Sequence, residues 1–271
     1  MTSAVRTPAV AGRFYPRRAD ELRREVEEFM ALGPGELCPA IGCIAPHAGY
    51  MYSGHVAGAV YAQLQIPERV VILCPNHTGT GHPLAVMTRE SWQTPLGEVA
   101  ADVELGTALL HRFPAAHEDS VAHRSEHAIE VQLPFLQVRT QSLRLVPIAV
   151  GTSDYDKLRG LGEALADVIM ARRGNVLIVA SSDMNHYESD ALTRVKDRKA
   201  IDRVLALDPH GLWEVVLNED ISMCGFGPSV VMLTAAARLG ATSATLVKYA
   251  TSGDVSGDRD AVVGYAGIIV A

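Results

Sequence analysis

The chain lacks any apolar run approaching the ~18 residues that cross a bilayer, so no membrane role is expected. It is also short of positive charge. Lys and Arg number 24 against 31 Asp and Glu, a net charge of −7. With no Lys/Arg-rich patch anywhere, this argues against nucleic acid as a partner. Cysteine is scarce: Cys38, Cys43, Cys74 and Cys224 are the full set in 271 residues. Four such cysteines make no small disulfide framework, and a reducing cytosol is the better match. The opening MTSAVRTPAVAGRFYP has no apolar core of the secretory-leader kind, so a cytoplasmic location is expected. Internal repeats, low-complexity tracts and linkers are missing too, which predicts one domain over residues 1–271.

What the chain does have is apolar material, 48% of residues, enough for a large core. Short apolar runs alternate with helical patterns almost throughout. An extended arm at 5–16 precedes a helix capped by Asp20, with Leu22, Val26, Phe29 and Met30 on one face. GPGELCP reads as a loop. LAVMTRESWQTPLG reads as a β excursion, followed by a helix at 102–113 and another through HRSEHAIEVQLPFLQ. Strands at 143–150 and 176–180 flank a helix at 155–171. Helices at 193–207, 209–217 and 229–239 then lead to closing strands at 245–250 and 262–270. The alternation predicts an α/β fold, a central mostly parallel or mixed sheet with helices on both faces.

Three of these strands end on polar side chains. IGCIAPHAGYMYSG stops at Pro46 and presents His47; RVVILCPNHTG presents His77; NVLIVASSDMNHY presents Asp183 and His186. Open α/β folds keep their sites at such strand ends, which points to one shared cleft. Neutral imidazoles held there suit Zn, Fe or Cu. A third ligand from the later half is expected at Cys224, in MCGFGPSVV just ahead of a helix. A helix N-terminus and a nearby cation both favour thiolate. The competing reading of Cys224 is a buried small hydrophobe.

Other groupings are weaker. Cys43 and Cys74 with His47 and His77 would give a closed Cys2His2 zinc site, but both cysteines lie inside apolar strands. HRSEH (His123, Glu126, His127) matches an inverted zinc-protease pattern without an evident third ligand. Ser181, Ser182 and His186 lack the G-x-S-x-G elbow of a hydrolase. His186 fits better as an acid/base group beside a metal, with Asp183 orienting it or a bound water. His55, His82, His111, His117 and His210 are left as structural or surface residues.

Taken together, these residues resemble the Memo family, also called AmmeMemoRadiSam system protein B. The resemblance runs through AVAGRFYP, APHAGYMYSG, CPNHTG, WQTPLG, SEHAIEVQLPFLQ, VPIAVG, ASSDMNHY, CGFGP, LVKYATSGDVSGD and VVGYAGI. It implies the fold of LigB-type class III extradiol dioxygenases, non-haem Fe(II) enzymes that cleave catechol rings. It further implies metal ligands at His47, His77 and Cys224. Asp183 and His186 would lie alongside, His186 as the acid/base group, and His127 would be a further cleft residue. Those dioxygenases use a carboxylate as third ligand, whereas cysteine shifts preference toward Cu(I) or Zn. The expectation is therefore a dioxygenase-like oxidoreductase holding Fe(II), with Cu(I) or Zn as alternatives, acting on a small aromatic substrate and O2. The alternative is a non-catalytic copper- or iron-binding or phosphopeptide-binding protein using the same cleft. The family's name adds radical SAM and AMMECR-type proteins as expected partners.

Overall fold

The computed structural model describes residues 4–31, 37–172 and 174–271. Of the loop expected at GPGELCP, residues 33–36 lie outside the described residues. The centre is four parallel strands lying side by side in the order Arg144–Val150, Arg69–Pro75, Val176–Ser181, Gly42–Ala45. Their runs RVVILCP and VLIVAS are buried almost end to end, as strands covered on both faces must be. Successive side chains go to opposite cores. Val71, Leu73, Ile178 and Ala180 join one apolar cluster, while Val70, Ile72, Leu177 and Val179 join the other. Helices Tyr155–Met170 and Phe226–Arg238 cover the first face; Ala19–Met30 and Tyr50–Gln63 cover the second.

Further strands, antiparallel and parallel, extend this centre into a mixed sheet of 12 strands among the described residues. Val262–Val270 pairs with Gly42–Ala45 and with Ala244–Thr251, and at its start with His186–Glu188. The excursion after His77 forms strands Leu84–Val86, Ser91–Thr94 and Gly97–Ala101. No helix among the described residues is long and apolar enough to cross a membrane.

Two local expectations need correction. Asp20 is not the cap of the first helix: the cap position is Arg18, with no side-chain cap bond, and Asp20 lies in the first turn. Its charge there still complements the helix N-terminus. The segment HRSEHAIEVQLPFLQ is not one helix either. Residues 123–129 are irregular, Glu130–Gln132 is a single 3-10 turn, and the helix is Leu133–Arg139. Pro134 offers no N–H and suits a helix start. Ahead of it, Glu126 accepts from the backbone N–H of Ala128, a local bond that competes with the helical ladder.

Candidate metal centre

The chain leaves the strand Arg69–Pro75 toward Arg144–Val150 on one side. It leaves the adjacent strand Val176–Ser181 toward Val262–Val270 on the other. Diverging strand ends open a crevice in the sheet's rim. His47, His77 and Asp183 each sit two residues past such an end. Cys224 arrives from the opposite direction, in the turn before the helix Phe226–Arg238. Gly225 makes that approach feasible, because a Cβ there would lie 2.4 Å from Ser182 Cβ and 2.5 Å from the Ser181 carbonyl oxygen.

The outcome is a triad of donor atoms, from His47, His77 and Cys224, all within 4.8 Å of one another. His47 Nε2 lies 3.2 Å from Cys224 Sγ. Both imidazoles have their other nitrogen engaged, His47 Nδ1 against Ser181 Oγ at 2.9 Å and His77 Nδ1 against Glu126 Oε1 at 2.9 Å. Glu126 is fully buried and also accepts the backbone N–H groups of His77 and Ala128. Burial opposes its charge, but the hydrogen bond and charge of His77, the Ala128 N–H and His127 together outweigh burial and hold the carboxyl down at about 2. A carboxylate cannot donate, so neutral His77 carries its proton on Nδ1 and leaves Nε2 bare. His77, Glu126 and His127 also lie close enough to share an ion. Glu126, already accepting three N–H bonds, reads instead as the group that orients His77.

The remaining expected residues line the same cavity, of about 610 Å³, with Phe14, Tyr187, Ser222 and Val263. His127 stacks on His77 at 4.9 Å and meets Phe14 edge-on at 4.8 Å. His186 Nδ1 donates to the Ser222 carbonyl at 2.8 Å, which turns Nε2 loose. Asp183 does not orient His186. Its Oδ1 accepts the backbone N–H groups of His47 and Ala48, and so fixes the loop that carries His47.

Burial, with His127 and His77 nearby, pushes His47 well below the ordinary histidine value. Burial also lowers His77, but Glu126 outweighs it and the net direction is up. Burial and the neighbouring Asp183 push the Cys224 thiol up. The helix end therefore does not by itself generate thiolate; a bound cation would have to.

The rival groupings come apart. Cys43 and Cys74 are buried in the apolar cluster beneath the second face. His123 is fully buried, bonds the Ala85 carbonyl through Nε2, and is pushed down to about 4 by burial. It does not share a helix with His127. Ser222, Gln132 and Phe14 were not legible as site residues from sequence, and Glu126 stood only in the protease-like HRSEH pattern, not as the group that orients His77.

A profile of Memo-like proteins matches residues 6–269. The chain belongs to the Memo family. It is 47% identical to a MEMO1 family protein of Methanopyrus kandleri, covering 97% of this chain and 98% of that one. It is 46% identical to a MEMO1 family protein of Methanosarcina mazei, over 98% and 99% of the two chains. A MEMO1 family protein of Pyrobaculum aerophilum is 43% identical, with 98% of each chain covered. Among solved structures, an uncharacterized protein from Escherichia coli K12 superposes with a TM-score of 0.56 at 11% identity. That match covers 84% of this chain and 98% of the other, and it speaks to fold alone.

Proposed function

We propose that the cleft is the active site of a metal-dependent redox enzyme, holding Fe(II) on His47, His77 and Cys224 and acting on a small aromatic substrate. The observation that carries this reading is the convergence of three donor atoms within 4.8 Å on the wall of an accessible cavity. The donor set fits such an ion. Each imidazole has Nδ1 engaged and Nε2 left for ligation, and Cys224, deprotonated on ion binding, would supply the single negative charge. When bound, Fe(II) would provide the meeting place for an electron-rich substrate and O2, since three protein ligands leave coordination positions open.

The chain's own residues do the rest. His186 Nε2, free because Nδ1 is committed to Ser222, takes the proton of a substrate hydroxyl. His127 and Phe14 give the substrate a ring-lined wall. Asp183 keeps the His47 loop in place.

A second reading, a copper-binding protein without turnover, draws support from the sulfur ligand, which favours Cu(I). Phosphopeptide binding has less behind it: among the described residues no Lys or Arg lines the cavity. A working partnership with radical SAM and AMMECR-type proteins rests on the family name and is tested by pull-down from the native cell.

Protein purified without oxygen and analysed for metals, then loaded with Fe(II) or Cu(I), tests the main reading. The expected result is about one iron per chain and O2 uptake that depends on an added phenol or indole. Tight Cu(I) binding with no O2 uptake on any candidate would overturn it in favour of the second.

A further inference from the structure

The side chain of Gln132 is fully buried and its orientation is forced. Its Nε2 faces the carbonyl oxygens of Pro46 at 2.9 Å and Ala45 at 3.3 Å, and Ser181 Oγ at 2.8 Å. Reversing the amide would press oxygen against two carbonyl oxygens. Its Oε1 accepts from the Tyr61 hydroxyl at 2.9 Å. Ser181 Oγ thus receives an N–H from Gln132. It also lies 2.7 Å from the Ala128 carbonyl, which can only accept, so the single hydroxyl proton of Ser181 goes there. Only a lone pair is left on Ser181 Oγ for its third neighbour, His47 Nδ1 at 2.9 Å. Nδ1 must then be the nitrogen that carries hydrogen.

We propose that Ser181 is a positioning residue: with Gln132 and the Ala128 carbonyl it locks His47 as the Nδ1–H tautomer, so that Nε2 presents its lone pair beside Cys224 before any ion arrives. Its value to the protein rests on the metal reading above, but the lock itself does not. Ligating histidines elsewhere donate their second N–H to a carboxylate or a carbonyl. Glu126 does this for His77, and Ser181 does it for His47 as a hydroxyl turned into a pure acceptor. The two imidazoles are thereby set to the same tautomer by unrelated devices, on strand ends that approach the crevice separately.

The decisive measurement is the tautomer. In protein labelled with 15N at histidine, long-range 1H–15N correlation spectra report which ring nitrogen is protonated; the His47 signals are those missing from His47→Asn. The expected pattern is hydrogen on Nδ1 and a bare Nε2 in the metal-free wild type. Hydrogen on Nε2 there would sink the proposal whatever any variant does. Ser181→Ala should fold, release a mixture of His47 tautomers, and weaken Zn2+ binding by about 10- to 100-fold in chelator competition. Ser181→Thr, which keeps the hydroxyl, should restore both. An unchanged tautomer and unchanged Zn2+ affinity in a folded Ser181→Ala protein would overturn the proposal. Wild type that binds neither Zn2+ nor Fe(II), yet shows the stated tautomers, would remove the metal reading and uphold the lock.

Discussion

At the scale of single residues, the site separates groups that would hold an ion from groups that aim them. His186 belongs to neither set, because its free Nε2 faces the cavity while Ser222 holds the ring. His186→Ala should therefore bind iron as wild type does and lose about 10²- to 10⁴-fold in turnover, read by metal analysis beside O2 uptake. Unchanged turnover would remove it from the chemistry. Glu126→Gln should do the reverse. It keeps the shape but loses the charge that accepts from His77, so Fe(II) or Zn2+ affinity should drop about 10- to 100-fold. His47, His77 and His186 stood out as candidates in the sequence because each follows an apolar strand, whereas His127 entered only through the family resemblance. Ser222 did not stand out, and Ser181 and Glu126 appeared only in rival groupings, not in the roles the fold gives them. Their roles come from partners brought close only by the fold, and a serine after a strand looks the same whether it caps a turn or fixes a tautomer.

Among the elements, the central strands were legible because cover on both faces makes them continuous apolar runs, whereas HRSEHAIEVQLPFLQ misled. Its apolar spacing fits a helix, but Glu126 and Glu130 are buried acids that must be satisfied by distant donors. Glu130 takes the Arg6 guanidinium, the N–H groups of Ala9 and Val10, and the Tyr15 hydroxyl. In this way one side chain ties down the N-terminal arm that carries Phe14 to the cavity. Glu130→Ala would strand Arg6, itself only 4% exposed, and should cost about 3–5 kcal/mol in urea unfolding. A loss below about 1 kcal/mol would show that the arm is held by other contacts. The turn ahead of the helix Phe226–Arg238 has no slack either. Gly225→Ala drives a methyl into Ser182, so it should cost about 1–3 kcal/mol and, by moving Cys224 off His47, lower metal content in the purified protein.

For the molecule as a whole, a metal site whose three ligands come from three separate stretches of chain makes ion binding and folding one equilibrium. Saturation at 100 times the dissociation constant should add about 2.7 kcal/mol of stability. A second global dependence comes from Asp197, whose carboxylate is fully buried. Its oxygens accept from the Asn185 N–H at 2.8 Å and the Tyr249 hydroxyl at 2.7 Å, and burial raises it to about 7. In the unfolded chain the same carboxyl titrates near ~3.9. Between those two values the folded protein keeps a proton that the unfolded chain has released. Its contribution is thus complete below about pH 4 and is lost as pH rises through 7, with a ceiling of roughly 4 kcal/mol. Asp197→Asn retains an acceptor for Asn185 and can donate to the Tyr249 oxygen, but cannot ionise. Relative to wild type it should gain stability from pH 4.5 up to about pH 7 in denaturant titrations and level off above that. Parallel curves for the two proteins would mean that Asp197 ionises in the folded state as readily as in water, through rearrangement or an entering solvent molecule. A widening gap would instead mark the packing of Gly264 against this side chain as tight enough to hold a proton at neutral pH, beside the loop that carries His186.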